Sequence, residues 1–330
     1  MNTPQNKMAK SETNTNETNT NETTPAQRSP HAQPNHWVVG PGAVGRLLAL
    51  RLAGQLPVVL VGRRQPPGRL TLITPEGEQI LRRLRGATPE TLPPSPPEMI
   101  HLTTKAYSAE VAIMALKGRV PTATPLVLWQ NGFGVQETLT HSWPGPVLCA
   151  STTEGAFVDD TPERNAVVHA GHGRTVIGHL DGAYPELGES LAETLSAAGL
   201  ACQAVADIRV RLWHKLAVNA AINPLVARFR IRNGQLRDRP FRPMVEALVS
   251  ELALIMAAES IPSPPDGWSA QVWSVATATA NNRASMLQDV LARRPSEIDA
   301  ILGPLRLAAR RHGIATPSLD DLWDSPPVAS

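Results

Sequence analysis

His36-Trp37-Val38-Val39-Gly40-Pro41-Gly42-Ala43-Val44-Gly45 passes from a short apolar run into three glycines spaced G-x-G-x-x-G. Residues 37–39 are too few for a helix and read as a buried strand. A helical stretch at 46–53 follows, and 58–61 is a second apolar run of strand length. Strand, glycine turn, helix and strand in that order open a parallel α/β sheet. In such a turn the first glycine makes the bend and the second lets the backbone approach a pyrophosphate. The third lets the helix pack on the strand, with the phosphates at the helix N-terminus. Gly40, Pro41, Gly42, Ala43, Val44 and Gly45 are therefore expected to hold a dinucleotide. The motif alone is weak, and its flanking strand and helix give it weight.

The residues after the second strand bear on which dinucleotide. A ribose 2′-hydroxyl calls for a carboxylate at that place. Here Val59-Leu60-Val61 runs into Gly62-Arg63-Arg64, with two guanidinium groups and no acid. Guanidinium suits a 2′-phosphate, so NADPH is expected, with Arg63 or Arg64 as the contact.

Further strands are expected at 99–103, 126–129, 147–150, 167–169 and 175–177. Near residue 206 the pattern turns helical, with stretches at 208–222, 243–260, 267–293 and 297–312. Gly313 after Arg310, Arg311 and His312 is a helix stop. The expected architecture is α/β: an N-terminal Rossmann-type parallel-sheet domain (36–206) and a C-terminal all-helical, substrate-binding domain (207–330). Residues 1–35, rich in Asn, Thr and Glu, bury too little to offset their ordering entropy and read as a disordered extension.

Composition excludes several classes. Thirty-one basic side chains against 29 acidic leave a net charge of +2, with no footprint for nucleic acid. Cys149 and Cys202 lie far apart, which argues against a disulfide framework or a cysteine zinc site and fits a reducing compartment. No apolar run reaches the ~18 residues of a membrane span, and the start lacks a secretory pattern. The expectation is a cytoplasmic protein with no metal, no membrane contact and a small-molecule substrate; a homodimer is an assembly this allows.

The segment Leu212-Trp213-His214-Lys215-Leu216-Ala217-Val218-Asn219-Ala220-Ala221-Ile222-Asn223 carries the chemistry. Lys215, Asn219 and Asn223 recur every fourth residue and form one stripe on a helix. Their surroundings are apolar, so the helix is expected to be largely buried. A buried ammonium and two amides are costly unless satisfied, and a polar ligand along the stripe would satisfy them. An ammonium beside a reacting carbonyl can donate a proton; the amides can hold hydroxyl or carboxylate oxygens. Ser296-Glu297-Ile298-Asp299 has the form of a capping box, so Glu297 has a structural account as good as a catalytic one. His101, His141, His169, His172, His179 and His214 show no metal-ligand spacing and read as surface or strand-end residues.

Several blocks together resemble the ketopantoate reductase family: GPGAVG at 40–45, TTKAYS at 103–108, QNGFG at 130–134, STTEGA at 151–156, LWHKLAVNAAINPL at 212–225, NGQLR at 233–237 and ASMLQDVLARRPSEID at 284–299. The resemblance implies a Rossmann-type domain followed by a helical one. It also implies NADPH-dependent reduction of 2-dehydropantoate to pantoate, on the route to pantothenate and coenzyme A. By the same resemblance Lys215 is the general acid, and Glu297 is an acid near the nicotinamide. Asn219, Asn223, Asn233, Asn282 and Ser285 become substrate contacts. Asn131 stands between cofactor and substrate; Lys105, Ala156 and Arg63 contact the cofactor. The chain departs from the family pattern at Ser151 and Glu154, and at Ala300 and Leu302 after the acid. Two other readings share these residues: a reductase of another branched 2-keto acid or imine, and a non-catalytic NADPH-binding sensor.

Overall fold

The computed structural model describes residues 35–159, 161 and 164–327. The stretch read as a disordered extension lies, apart from Asn35, outside the described residues. The first half runs β1 (His36–Val39), α1 (Ala43–Leu52), β2 (Val58–Val61), β3 (Arg69–Ile73), β4 (Gln79–Arg83), β5 (Arg85–Ala87), β6 (Met99–Leu102), α2 (Ala109–Met114), β7 (Leu126–Leu128), α3 (Val135–Ser142), β8 (Val147–Thr152), β9 (Gly155–Asp159), β10 (Ala166–Gly171), β11 (Thr175–Gly178), α4 (Pro185–Ala197) and β12 (Cys202–Ala204). The second is helical: α5 (Ile208–Phe229), α6 (Arg242–Ala258), α7 (Gly267–Ala278), α8 (Ser285–Leu291), α9 (Ile298–Arg311) and α10 (Pro317–Asp324).

The main sheet has the strand order β12-β11-β8-β7-β6-β1-β2-β5. From β5 to β8 every neighbour is parallel, and β11 joins β8 antiparallel. Strand order reverses between β1 and β6, which leaves a crevice beyond the carboxyl ends of those strands. A second sheet, β4-β3-β10-β9, lies against the far side of α1. Of this sheet only β10 is visible in the sequence as an apolar run. In β4 alternate residues are exposed and carry Arg83 and Gln79, so apolar continuity gives no signal there.

One apolar core runs from Trp37, Ile100, Leu102 and Leu128 on the main sheet into Leu212, Leu216, Leu252 and Leu305 of the helices. It is continuous across residue 206. A second core, with Val38, Leu48, Leu50, Leu60 and Leu72, fills the space around α1. Each such leucine or valine contributes roughly 1.5–3 kcal/mol on full burial.

Three helical expectations are corrected. α5 does not stop at 222 but continues through Pro224 to Phe229. Proline removes one intrahelical donor at a cost of about 3 kcal/mol, and burial of Ala220, Ala221, Ile222, Leu225 and Val226 around it holds the helix together. The stretch 267–293 is two helices, because residues 279–284 turn to take tertiary bonds: Gly234 N–H donates to Ala280 O and Asn233 N–H to Asn282 O. Ser296 makes no cap; the N-cap of α9 is Glu297, whose side chain is engaged elsewhere. Two histidines also differ from expectation, since His101 and His169 are completely buried. Gly313 does end α9, at φ +65°.

Candidate active site

The glycine turn leaves β1 at Gly40, whose φ of +113° belongs to the region open to glycine. A Cβ there would come within 2.6 Å of Thr104 N, and one on Gly45 within 2.0 Å of Gly40 O. Thr103 Oγ1 donates to the carbonyls of Val39 and Gly40, at 3.0 and 2.8 Å, tying the end of β6 to the turn. Gly42, the N-cap of α1, is exposed, and a Cβ on it would meet no protein atom within 4 Å. No side chain caps α1. The turn is thus closed on its protein side and open, with unpaired first-turn amides, on its outer side, which fits a pyrophosphate. Pro41, Ala43 and Val44 are half-buried; Pro41 O accepts from Arg46 Nε at 2.9 Å.

Parallel topology brings other expected residues to the same sheet edge. Arg63 and Arg64 follow β2 and are exposed. Lys105 follows β6, and Asn131 follows β7 and is half-buried. Gln130 fixes these loops to each other: its Nε2 donates to Leu102 O at 2.8 Å and to Thr104 O at 3.2 Å. Ala156 lies on β9, one sheet away, against the core around α1.

From the helical half, α5 lays Lys215 against the end of β8, where Nζ donates to Thr152 O at 2.7 Å. Desolvation by the surrounding protein lowers its pKa to about 8, and the Glu297 carboxylate opposes that shift. Asn219 is half-buried and Asn223 buried; among the described residues neither side-chain amide has a hydrogen-bond partner. Glu297 is 6% exposed. Its Oε1 accepts the Ala106 N–H at 3.1 Å and its Oε2 accepts Lys105 Nζ at 3.2 Å. Burial alone would lower Lys105, but Glu297 and Asp289 together hold its ammonium above the ordinary lysine value.

Asn233 is buried. Its Nδ2 donates to Thr279 Oγ1 at 2.9 Å, and its Oδ1 has no partner. Asn282 stands beside it through the backbone, and Asn282 and Ser285 are both exposed. Among the described residues no hydrogen bond or ion pair joins these three to Lys215.

Two participants were missed from the sequence. Asp289, 3% exposed, accepts Lys105 Nζ at 2.7 Å and Arg294 Nε at 3.1 Å. It sits eight residues before Glu297, across the end of α8 and the loop to α9, and only the fold shows that both carboxylates meet one lysine. Thr152 acts through its carbonyl, which every residue type possesses, so no sequence signal could mark it.

A doubly wound sheet with an open glycine turn, and a lysine–carboxylate cluster delivered to the same edge by a helical half, define a dinucleotide-dependent oxidoreductase. Two family models cover the chain: "Ketopantoate reductase PanE/ApbA" matches residues 37–182 and "Ketopantoate reductase PanE/ApbA C terminal" matches 207–325. The chain is 37% identical to the 2-dehydropantoate 2-reductase of Vibrio cholerae over 284 residues, which is 85% of this chain and 92% of that enzyme. The crystal structure of 2-dehydropantoate 2-reductase from Geobacter metallireducens GS-15 superposes with a TM-score of 0.78 at 22% identity, over 87% of this chain and 97% of that one. A ternary structure of D-mandelate dehydrogenase with NADH and anilino(oxo)acetate has a TM-score of 0.77 at 22% identity, over 88% of this chain and 96% of that one. The chain belongs to the ketopantoate reductase family. No helix among the described residues is long and apolar enough to cross a membrane.

Proposed function

We propose that this protein reduces the ketone of 2-dehydropantoate to the alcohol of pantoate, with NADPH as reductant. The observation that carries this is the Lys215 ammonium, held against the Thr152 carbonyl at the end of β8 with its pKa lowered to about 8. A group of that strength can hold a proton at neutral pH and release it to a developing alkoxide. When bound, the reduced nicotinamide supplies the hydride to the ketone carbon. Lys215 supplies the proton to the ketone oxygen. Asn219 and Asn223, whose amides have no protein partner, orient the substrate's hydroxyl and carboxylate oxygens along the same helix edge. Asn233, Asn282 and Ser285 close the substrate end, with Ser285 as donor to the carboxylate. Glu297 fixes the 105–106 backbone and Lys105 beside the nicotinamide, and Asn131 stands between the two ligands.

The glycine turn from Gly40 to Gly45 would hold the pyrophosphate, with Lys105 and Ala156 as flanking contacts. Arg63 or Arg64 would pair with the 2′-phosphate, and no acid stands at the end of β2 to prefer a free ribose. We assign the protein to the cytoplasm as a homodimer; its two free cysteines support a reducing compartment.

The test is nicotinamide oxidation followed by absorbance with 2-dehydropantoate, against a panel of branched 2-keto acids and imines. Turnover with NADPH and 2-dehydropantoate at the highest kcat/KM is expected. A better 2-keto acid or imine would displace the substrate assignment, and preference for NADH would displace the arginine argument. Binding of NADPH without turnover of any substrate would leave a sensor.

A further inference from the structure

We propose that Glu154 and His169 are positioning residues for Lys215, acting through the Thr152 carbonyl. The proposal rests on the reading of Lys215 as the proton donor. It starts from a buried chain of side chains that the catalytic account does not use. Arg51, in the last turn of α1, stands with Nη2 3.0 Å from His169 Nδ1. A guanidinium can only donate, so Nδ1 accepts and the imidazole proton sits on Nε2. That proton is donated to Glu154 Oε2 at 2.7 Å. The same oxygen accepts the Gly173 N–H at 2.8 Å. The His169 and Glu154 side chains are 0% and 6% exposed.

Glu154 is two residues past Thr152, in the link from β8 to β9. Its own N–H donates to Thr152 Oγ1 at 3.2 Å, and Thr175 Oγ1 donates to that atom at 2.9 Å. Thr153 N–H donates to Arg174 O at 2.9 Å, and Arg174 N–H to Thr153 Oγ1 at 2.9 Å. The two turns touch so closely that a Cβ on Gly173 would fall 2.3 Å from the Thr153 carbonyl carbon. The 152–154 backbone is therefore tied to 173–175 by its own amides and the Thr152 and Thr153 hydroxyls, and the Glu154 carboxylate fastens the same turn to Gly173 and His169. Its Thr152 carbonyl receives Lys215 Nζ at 2.7 Å. A merely cohesive contact between α1 and β10 could be apolar, and burying charge there carries a desolvation cost. What the polar chain adds is direction: it sets the register of one turn, and the turn sets where the lysine points. Displacing a reacting group by about 1 Å can cost up to about 100-fold in rate.

Glu154→Ala, Glu154→Gln, His169→Gln and Lys215→Ala are compared in the full-length enzyme by kcat, KM, NADPH affinity from fluorescence, thermal midpoint and the pH profile of kcat. NADPH binding stoichiometry normalises each rate to folded sites. Glu154→Ala is expected to lower kcat about tenfold with KM and NADPH affinity within about twofold. Its alkaline limb should move to lower pH, because the ammonium loses an acceptor while Glu297 still faces it. Glu154→Gln keeps an oxygen that accepts from His169 and Gly173, and should restore kcat to within about twofold. His169→Gln should fall between them, and it carries the test if Glu154→Ala does not fold. Unchanged kcat per folded site and an unmoved alkaline limb in Glu154→Ala and His169→Gln would overturn the proposal. So would a Glu154→Gln variant as slow as Glu154→Ala. If Lys215→Ala itself turns over normally, the proton-donor reading falls and takes this proposal with it. If Lys215→Ala is dead and Glu154→Ala is not, only the clamp falls.

Discussion

Lys105 and Asp289, 184 residues apart in the chain, meet at 2.7 Å between Nζ and Oδ2. The contact ties the loop after β6 to α8, and Glu297 joins it from the start of α9 at 3.2 Å. Half of the network belongs to the dinucleotide sheet and half to the helices. Removing Asp289 takes one of the two carboxylates from Lys105 and the ion pair from Arg294. Asp289→Asn is expected to lower stability by about 1–2 kcal/mol, less than a fully buried pair because Lys105 is partly exposed. Urea denaturation measures this, and a double-mutant cycle with Lys105→Met isolates the pair; an unchanged midpoint would refute it.

The pH dependence of turnover follows from Lys215. Its pKa is lowered to about 8, and in the proposed reaction the protonated form is the one that donates. Rate should be constant below that pH and fall about tenfold per unit above it. The Glu297 carboxylate holds the lysine up against desolvation, so Glu297→Gln should shift the falling limb to lower pH. A kcat profile flat from pH 7 to 10 would contradict both statements.

Two glycines of the same turn should behave oppositely. At Gly45 a Cβ would collide with Gly40 O at 2.0 Å, so Gly45→Ala must move the backbone of the turn. It is expected to cost several kcal/mol, about 3 or more, and to impair folding. At Gly42 the added methyl meets no protein atom. Gly42→Ala should fold with a normal melting temperature and bind NADPH about tenfold more weakly, since the methyl occupies the approach to the pyrophosphate. Calorimetry and fluorescence titration separate the two, and equal losses of stability would refute the distinction.

Below neutrality the fold should weaken through His36 and His101. Trp129 Nε1–H donates to His101 Nδ1 at 3.2 Å, so His101 Nε2–H faces His36 Nδ1 at 3.0 Å. Desolvation lowers His36 to about 4 and holds His101 well below its ordinary value. Both groups are depressed in the folded state, so the unfolded chain binds more protons between pH 6.5 and 4. Their contribution is complete above about 6.5 and is lost as pH falls through the folded value. The melting temperature should drop across that window, and His36→Phe should flatten part of the drop; an equal slope in the variant would rule it out.

The opening strands of the parallel sheet and the glycine turn were legible because short apolar strands and a G-x-G-x-x-G spacing are local signals. The Lys215, Asn219 and Asn223 stripe was legible for the same reason: helical period puts the three on one edge before any fold is known. Most of the second sheet was not, since arginine interrupts the apolar pattern of β3 and β4 and β9 has no buried residue to mark a face. Nor was the break at 279–284 readable, because it is set by Asn233 and Gly234, some 45 residues upstream. Glu297 shows the limit most plainly. Its neighbours Ser296 and Asp299 carry a cap motif, yet the carboxylate turns to Lys105 and Ala106, nearly two hundred positions away.

Among the described residues, the apolar filling that passes unbroken from Trp37 and Leu128 to Leu216 and Leu305 leaves no seam between sheet and helices. Heat should melt sheet and helices in one cooperative step. A fragment ending before α5 would bare the sheet face that Leu212 and Leu216 cover and would aggregate. The lysine and the glycine turn, though encoded 170 residues apart, would then exist only together or not at all.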